Sequence, residues 1–214
     1  MKNTPFIAVT SQPVPYHADT TAIFNTLCQQ NSNSLLLDSA EIGSKNSLQS
    51  LILINAAVKI TCLGNQVTFR ALNANGKQVL KEIHPVLSQL GTVSAVNFDN
   101  EFSVQFAPLD NQLDEDSKLQ AATIFDGLRV ISNHYQHSST PVFLGGLFAY
   151  DLVANFIPMQ SVELKDDGIH CPDYSFYLAE NLITIDHQSQ QATLKSFCFS
   201  QEEQVEVAKT ALSI

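Results

Sequence analysis

Two runs of alternating apolar residues on either side of a Gly-Asn pair constrain the fold of this chain more than any other feature. Residues 58–62 and 67–71 each alternate between apolar and polar positions, and Gly64-Asn65 lies between them. A period of two is typical of a half-buried strand, and Gly-Asn between two such runs favours a tight hairpin. The sequence therefore predicts a β-hairpin and an antiparallel sheet.

The same patterns predict the other elements, and strands dominate. Strands are expected at residues 34–37, 50–63, 102–106, 142–150, 174–185 and 193–199. Helices are expected from Asp19 or Thr20 to residue 29, at 79–90 with a break near Pro85, at 114–134, and after a Ser200/Glu203 capping box, while Asn75-Gly76 is expected to be a turn. Strands joined by hairpins indicate a mainly antiparallel α+β fold with helices covering the sheet faces.

Composition excludes several classes of partner and compartment. The 214 residues are 44% hydrophobic, enough to bury a core, and the net charge of −10 with only two arginines disfavours nucleic acid and anionic membranes. Four scattered cysteines, a short apolar start and no long apolar run predict a cytoplasmic protein with reduced thiols and no membrane span. The final amphipathic helix reaches residue 214 without a cap, which predicts a natural chain that continues.

Four short motifs are candidates for chemical sites, and none of them predicts catalysis or metal binding. The acidic run 114–116 is better explained as a helix start than as metal ligands. His134 and His137 match neither HExxH nor a Cys/His finger spacing, so surface or capping histidines are favoured over a zinc site. His170-Cys171 would point to opposite faces of a strand, so a loop is favoured over a nucleophile with its base. Gly145-Gly146 lacks a phosphate-binding frame, which favours a strand bend or a close backbone approach.

One further motif is the residue pair Asp38-Ser39, which ends an apolar strand with a carboxylate and a hydroxyl. The segment reads Leu-Leu-Leu-Asp-Ser-Ala at residues 35–40. A carboxylate can pair with the ammonium of a free amino acid and accept a hydrogen bond from it. A turn or a helix cap explains the same pair from local chemistry alone. Both interpretations remain open at this level.

A longer stretch around Asp38-Ser39 resembles a known family. Residues 35–69, LLLDSAEIGSKNSLQSLILINAAVKITCLGNQVTF, resemble the amino-terminal part of the anthranilate synthase large subunit (component I), a chorismate-utilising enzyme. The resemblance continues in residues 113–129, 143–153, 171–180 and 186–188, and so covers most of the chain in order. It implies a mainly antiparallel β-sandwich flanked by helices.

The resemblance also implies a function for the parent enzyme. That family makes anthranilate from chorismate, the first committed step of tryptophan biosynthesis, with ammonia from a glutamine amidotransferase subunit and with L-tryptophan as feedback inhibitor. The tryptophan-binding positions it implies are Asp38, Ser39 and Ala40, and weaker regulatory candidates are Arg129, Cys171 and Tyr174. Two positions depart from the family pattern, because Asp38 replaces a longer glutamate and Gln49 stands where relatives carry lysine.

The family's chorismate pocket and the acidic residues that hold Mg²⁺ are expected beyond residue 214. Residues 1–214 are therefore expected to be a regulatory region, truncated before the chorismate-binding half and inactive alone, with no catalytic residue, cofactor or metal of its own. Its expected partners are L-tryptophan, the amidotransferase subunit and the missing half. The alternatives are the equivalent part of aminodeoxychorismate synthase component I, a stand-alone module that docks the amidotransferase, and a hydrolase that uses Cys171.

Overall fold

The computed structural model describes residues 5–29, 31–38, 48–97, 99–108, 114–136, 140–155 and 171–212. The strands among them are β1 (Ala8–Val14), β2 (Leu35–Asp38), β3 (Gln49–Leu63), β4 (Gln66–Ala71), β5 (Thr92–Asn97), β6 (Glu101–Gln105), β7 (Leu144–Phe148), β8 (Tyr174–Asp186) and β9 (Gln191–Cys198). The helices are α1 (Thr20–Cys28), α2 (Ala74–Leu87), α3 (Glu115–Gln120), α4 (Asp126–His134) and α5 (Gln204–Leu212), with a 3-10 helix at Tyr150–Asn155. None of these helices combines the length and the apolar character needed to cross a bilayer.

All the strands belong to one curled sheet, and every pairing in it is antiparallel. Its order is β1-β9-β8-β3-β4-β6-β5, while β2 also pairs with β3 and β7 also pairs with β8. The predicted α+β class with a mainly antiparallel sheet is confirmed. The two longest strands, β3 and β8, lie side by side at the centre and contribute to both ends of the sheet.

The pairing of β3 with β8 is irregular near its middle. Leu53 pairs with Leu182 and Val58 with Leu178, but the register between them skips Ile54 and Ala57 on β3 and Glu180 on β8. Such bulges bend a strand and redirect its side chains. As a result, burial no longer alternates along this part of β8, where all residues from 178 to 183 are buried.

Two apolar cores lie against the sheet. The smaller core joins α1 to one end through Cys28, Ile52, Ile54, Ile183, Ile185, Ala192 and Leu194. The larger core joins α2 and α4 to the other end, and its largest fully buried side chains include Phe69, Phe102, Tyr135 and Tyr174. The bulge therefore lies where the two helical layers meet the same central strands.

The predicted hairpin and the predicted close approach at the paired glycines are confirmed. Gly64 adopts a positive φ of 57° between β3 and β4, a conformation that glycine tolerates at little steric cost. A Cβ on Gly146 would lie 2.2 Å from the carbonyl oxygen of Ser175 and 2.6 Å from the Cα of Phe176. Gly146 thus allows β7 to lie directly against β8.

The predicted turn at Asn75-Gly76 is wrong, because both residues lie in the first turn of α2. The signal for this helix is Asn73, whose side-chain oxygen accepts a hydrogen bond from the backbone N–H of Gly76 at 2.8 Å and caps the helix. The predicted break near Pro85 is also wrong, since α2 continues to Leu87. A proline this close to the carboxyl end removes one backbone bond, and the helix ends two residues later.

Other boundaries differ from the prediction for local reasons. The expected helix at 114–134 is two helices, separated by Ala121 in an extended conformation, and Asp114 caps the first through Ser117 N at 2.7 Å. The last helix begins at Gln204, so Ser200 is not its cap. The strand expected at 34–37 is the half-exposed β2, which pairs only with β3 among the described strands. The sequence patterns missed β1 and β5.

Candidate functional site

Asp38 is the last residue of β2 and lies at one end of the central strands. Its Cα pairs with that of Ser50 near the start of β3, and Ser50 in turn pairs with Ile185 near the end of β8. The Asp38 side chain is exposed, whereas Ser50 is fully buried. Ser39 and Ala40, the other two predicted tryptophan-binding residues, lie outside the described residues.

A row of hydrogen bonds runs from Asp38 into the protein. The hydroxyl of Ser50 donates to Oδ1 of Asp38, and Nε2 of His187 lies 2.8 Å from the same hydroxyl. On the other side of the imidazole, the hydroxyl of Tyr16 lies 3.2 Å from Nδ1. The Tyr16 and His187 rings meet edge to face, with centroids 5.9 Å apart. Four side chains from distant parts of the sequence thus form one connected network.

Counting protons assigns the donors in this network. Ser50 has a single hydroxyl proton, which it donates to Asp38, so its oxygen accepts a hydrogen bond from Nε2–H of His187. The matching imidazole tautomer has its N–H at Nε2, so Nδ1 accepts a hydrogen bond from the hydroxyl of Tyr16. Every donor in the row is directed towards Asp38, which suits an ionised carboxylate.

The turn after β8 holds His187 in place. Its backbone N–H donates to the carbonyl of Leu48 at 2.9 Å, which ties the turn to the start of β3. Asp186 accepts hydrogen bonds from the backbone N–H groups of Ser189 and Gln188, and these bonds lower the pKa of its carboxyl. The adjacent Gln49 is exposed and pairs with Asp186 across the strands. This end of the sheet therefore presents two carboxylates and suits a cationic group.

One oxygen of Asp38 retains capacity for another donor. The hydroxyl of Thr20, the first residue of α1, lies 3.4 Å from Oδ2. That distance is long for an O–H···O bond, which is usually 2.5–3.0 Å. Oδ2 can therefore accept a stronger bond from a ligand on the exposed side of β2. We call Asp38, Ser50, His187, Tyr16 and Thr20 the Asp38 corner.

The three weaker regulatory candidates lie elsewhere. Arg129, on α4, is exposed, contacts Asp126 at 3.2 Å and lies over the ring of Phe125. Cys171 is exposed in the segment before β8. Tyr174 is fully buried, and its hydroxyl donates to the carbonyl of Ile124 at 2.7 Å.

The strand register separates these candidates from Asp38. Tyr174 pairs with Cys62 at one end of the β3–β8 pair, and Asp38 lies beside Ser50 at the other. Tyr174 and Ile185 are eleven positions apart on β8, roughly 35 Å along a strand that rises about 3.3 Å per residue. Tyr174 and Asp38 thus lie near opposite ends of the β3–β8 pair.

Sequence reasoning missed Ser50, His187 and Tyr16 as members of the site. His187 belongs to the turn that carries part of the family resemblance, but no local motif links it to Asp38. The 2.8 Å contact of Ser50 with His187 joins residues 137 positions apart, so only the strand register reveals it. No three His, Cys, Asp or Glu side chains in the described part of the chain are placed to hold a metal ion.

Comparisons with known proteins agree with the resemblance. The family model for chorismate binding enzymes matches residues 78–213. Anthranilate synthase component 1 of Haemophilus influenzae is 84% identical over 98% of this chain and 40% of its own length. The Vibrio cholerae and Escherichia coli proteins of the same name are 43% and 36% identical over 93% and 92% of this chain and 38% and 37% of theirs. The chain thus spans about 40% of the length of these relatives. Because the family model covers more than half of it, the chain belongs to the chorismate binding enzymes.

Proposed function

We propose that this chain is the amino-terminal regulatory region of an anthranilate synthase component 1, the enzyme that makes anthranilate from chorismate. The proposal is supported by relatives of that name that match nearly the whole chain at 36–84% identity. Catalysis depends on the part of the enzyme that this chain does not span, where the family resemblance places the chorismate pocket.

The regulatory ligand is L-tryptophan, and the Asp38 corner receives its ammonium group. The observation that carries this assignment is the exposed Asp38 carboxylate, which Ser50 orients through Oδ1 while Oδ2 keeps room for a donor. An ammonium–carboxylate hydrogen bond is stronger than a neutral one. Ser39 and Ala40 follow Asp38 directly and complete the proposed contact.

Tryptophan acts by favouring an inactive arrangement of the whole enzyme. A ligand shifts such an equilibrium only if it binds one arrangement more tightly than the other. The aspartate at position 38 is one methylene shorter than the glutamate of the family pattern, so the ligand ammonium must lie closer to the β2 backbone. Gln49 supplies no positive charge for the ligand carboxylate, unlike the lysine of the family pattern.

The remaining parts of the proposal concern the longer protein. The amidotransferase subunit is its partner and supplies ammonia, and acidic residues outside this chain hold the Mg²⁺ that the reaction uses. The curled sheet closes into the β-sandwich that the family resemblance implies. Arg129, Cys171 and Tyr174 affect tryptophan sensitivity indirectly, and for Tyr174 the strand register excludes contact with a ligand at Asp38.

Calorimetric titration with L-tryptophan tests the assignment, on this chain and on the intact subunit. Asp38→Asn should weaken binding about tenfold or more, because it removes a charged hydrogen-bond acceptor worth about 1.5–3 kcal/mol. Asp99→Asn, which changes an exposed carboxylate in the turn between β5 and β6, should leave the affinity unchanged.

Three outcomes decide between the proposal and its alternatives. Absence of tryptophan-dependent heat in the intact subunit would remove the sensing role. Formation of aminodeoxychorismate instead of anthranilate would assign the chain to aminodeoxychorismate synthase. Co-purification of this chain with the amidotransferase, without any response to tryptophan, would favour a docking module.

A further inference from the structure

A polar cavity of about 340 Å³ opens beside the bulge in the central strands, away from the Asp38 corner. Its polar lining consists of Glu180 and the asparagines Asn31, Asn33, Asn55 and Asn73. The volume lies at the lower end of the range of about 300–1,000 Å³ that is usual for ligand pockets. The cavity can therefore hold a small molecule.

The bulge and its surrounding loops build this cavity. The carbonyl of Ile54, which the register skips, accepts a hydrogen bond from the Asn31 side chain at 2.8 Å. The carbonyl of Ala57, also skipped, accepts from the backbone N–H of Leu72 at 2.9 Å. These bonds satisfy groups that the ladder leaves unpaired and fix the segments before β2 and α2 around the opening.

The bulge also carries the carboxylate of Glu180 into the protein. Glu180 is only 6% exposed, and its Oε2 accepts hydrogen bonds from the side-chain amides of Asn73 and Asn75 at 2.9 and 2.8 Å. Both donors are neutral, and both bind the same oxygen. No salt bridge within the described ranges reaches this carboxylate.

Electrostatics make Glu180 a receptor for a positive charge. Burial raises the pKa of its carboxyl, the amides of Asn75 and Asn73 partly offset this, and the negative charge of Glu203 raises it further. A buried charge without an opposite partner is costly, and a cation beside it lowers that cost. The cavity gives such a cation access to the carboxylate.

The donor set excludes a divalent metal and favours an organic cation. The side-chain oxygens of Asn31 and Asn73 already accept backbone N–H groups at 3.0 and 2.8 Å. Glu180 is the only carboxylate among the described lining residues, whereas a calcium site uses six to eight oxygen ligands. A primary ammonium needs few acceptors and donates up to three hydrogen bonds.

We propose that this cavity binds a small hydroxylated primary amine, whose ammonium group pairs with Glu180 while its hydroxyl groups contact the asparagine amides. Asn33 and Asn55, at the opening, offer both donors and acceptors for those hydroxyls. The site is separate from the Asp38 corner and does not depend on a response to tryptophan.

The probe is 2-amino-1,3-propanediol, and its matched control is glycerol, in which a hydroxyl replaces the ammonium. Backbone amide shifts are followed by NMR on the whole 214-residue chain at constant ionic strength. The amine should produce saturable shifts at Asn31, Asn33 and Asn55, and glycerol should bind at least tenfold more weakly. Equal binding of glycerol, or no saturable shift with the amine, would overturn the proposal.

Glu180→Gln retains an oxygen that can accept from Asn73 and Asn75 but removes the charge, so it should weaken amine binding at least tenfold. Glu82→Gln is the control, because Glu82 is half-buried and accepts a side-chain hydrogen bond from Tyr135 at 3.0 Å but is not among the described lining residues. Unchanged amine binding in Glu180→Gln would refute the role of the carboxylate.

A measurement on the unaltered chain does not depend on how any variant folds. The carboxyl carbon shift of Glu180, followed against pH, reports its pKa directly. Saturating amine should lower that pKa and saturating glycerol should not. A pKa that stays constant while the lining amides saturate would show that the ammonium lies elsewhere and would also overturn the proposal.

Discussion

Asp38, at the end of β2, and Glu180, within β8, differ in how the protein stabilises the negative charge of the carboxylate. Asp38 stands at the exposed end of a strand and accepts a hydrogen bond from Ser50, with His187 behind it. Glu180 lies inside a bulge and depends on two neutral amides. A strand end leaves a carboxylate in contact with water, whereas a bulge removes the water and makes the carboxylate depend on protein dipoles. Binding at Asp38 should therefore be separable from stability, and binding at Glu180 should not.

Asn75→Ala should have the largest effect, because it removes support from the Glu180 region. Asn75 is buried, donates to Glu180 and to the carbonyl of Phe197 at 3.0 Å, and accepts from Phe199 N. Leaving such groups without partners costs about 1–3 kcal/mol each, so we expect a loss of about 3 kcal/mol in urea unfolding. Asn25→Ala, at an exposed position of α1, should cost less than about 0.5 kcal/mol, and similar losses in both variants would contradict the assignment.

The pH dependence of stability should be the next largest difference. The raised pKa of Glu180 means that the folded chain binds more protons than the unfolded chain from the ordinary pKa of 4.5 up to the folded value. This group therefore stabilises the fold less as pH rises through that window. The stability of Glu180→Gln relative to the unaltered chain should rise over the same window and then level off.

Urea unfolding at several pH values measures this difference, and the exposed Glu101→Gln is its control. Glu101 pairs with Arg70 on the surface, so its replacement should not reproduce the rise. Parallel stability curves for Glu180→Gln and the unaltered chain would show that burial does not penalise the Glu180 charge.

Ser50→Ala should have an intermediate effect at the Asp38 corner. It removes the hydrogen bond to Asp38 and leaves Nε2 of His187 without an acceptor, at an expected cost of about 1–2 kcal/mol. Ser103→Ala is a matched control, since its hydroxyl pairs with that of Thr68 across β4 and β6 at 2.8 Å in a half-buried position. A greater loss of unfolding free energy in Ser103→Ala would argue against the proposed network.

Asp38→Asn should have the smallest effect on stability. The side chain is exposed, and an asparagine oxygen can still accept from Ser50, so the unfolding free energy should change by less than about 0.5 kcal/mol. Thermal unfolding measures this change. A loss above about 1 kcal/mol would mean that Asp38 supports the fold, and the contrast with Glu180 would then disappear.

Features set by neighbouring residues could be predicted from the sequence. The hairpin at Gly64, helix α1 with its Asp19 cap, and strand β8 follow from local periodicity and turn chemistry. The sequence pattern predicts a turn at Asn75-Gly76 because the same residue types occur in turns and at helix starts. The cap at Asn73 is the feature that distinguishes a helix start from a turn here.

Features set by strand register could not be predicted in this way. Pro13 breaks the pattern of β1, but among the described strands β1 pairs only with β9, and an edge strand tolerates a residue without an N–H donor. The bulge at Glu180 depends on how β3 and β8 align over many residues, which no local window contains. For the same reason Asp38 was predicted as a site residue from its position in the family pattern, while Ser50 and His187 were missed.

Strands β3 and β8 belong to both ends of the sheet, and this determines how the protein unfolds. Both strands pair with other strands at each of their ends, so each end of the sheet uses the same two backbones. Neither end of the sheet can unfold without exposing the β3–β8 pairing, and the strands at the other end depend on the same pairing. Local opening should therefore be confined to the outer strands, while the amides of the central ladder exchange with solvent only when the whole sheet unfolds.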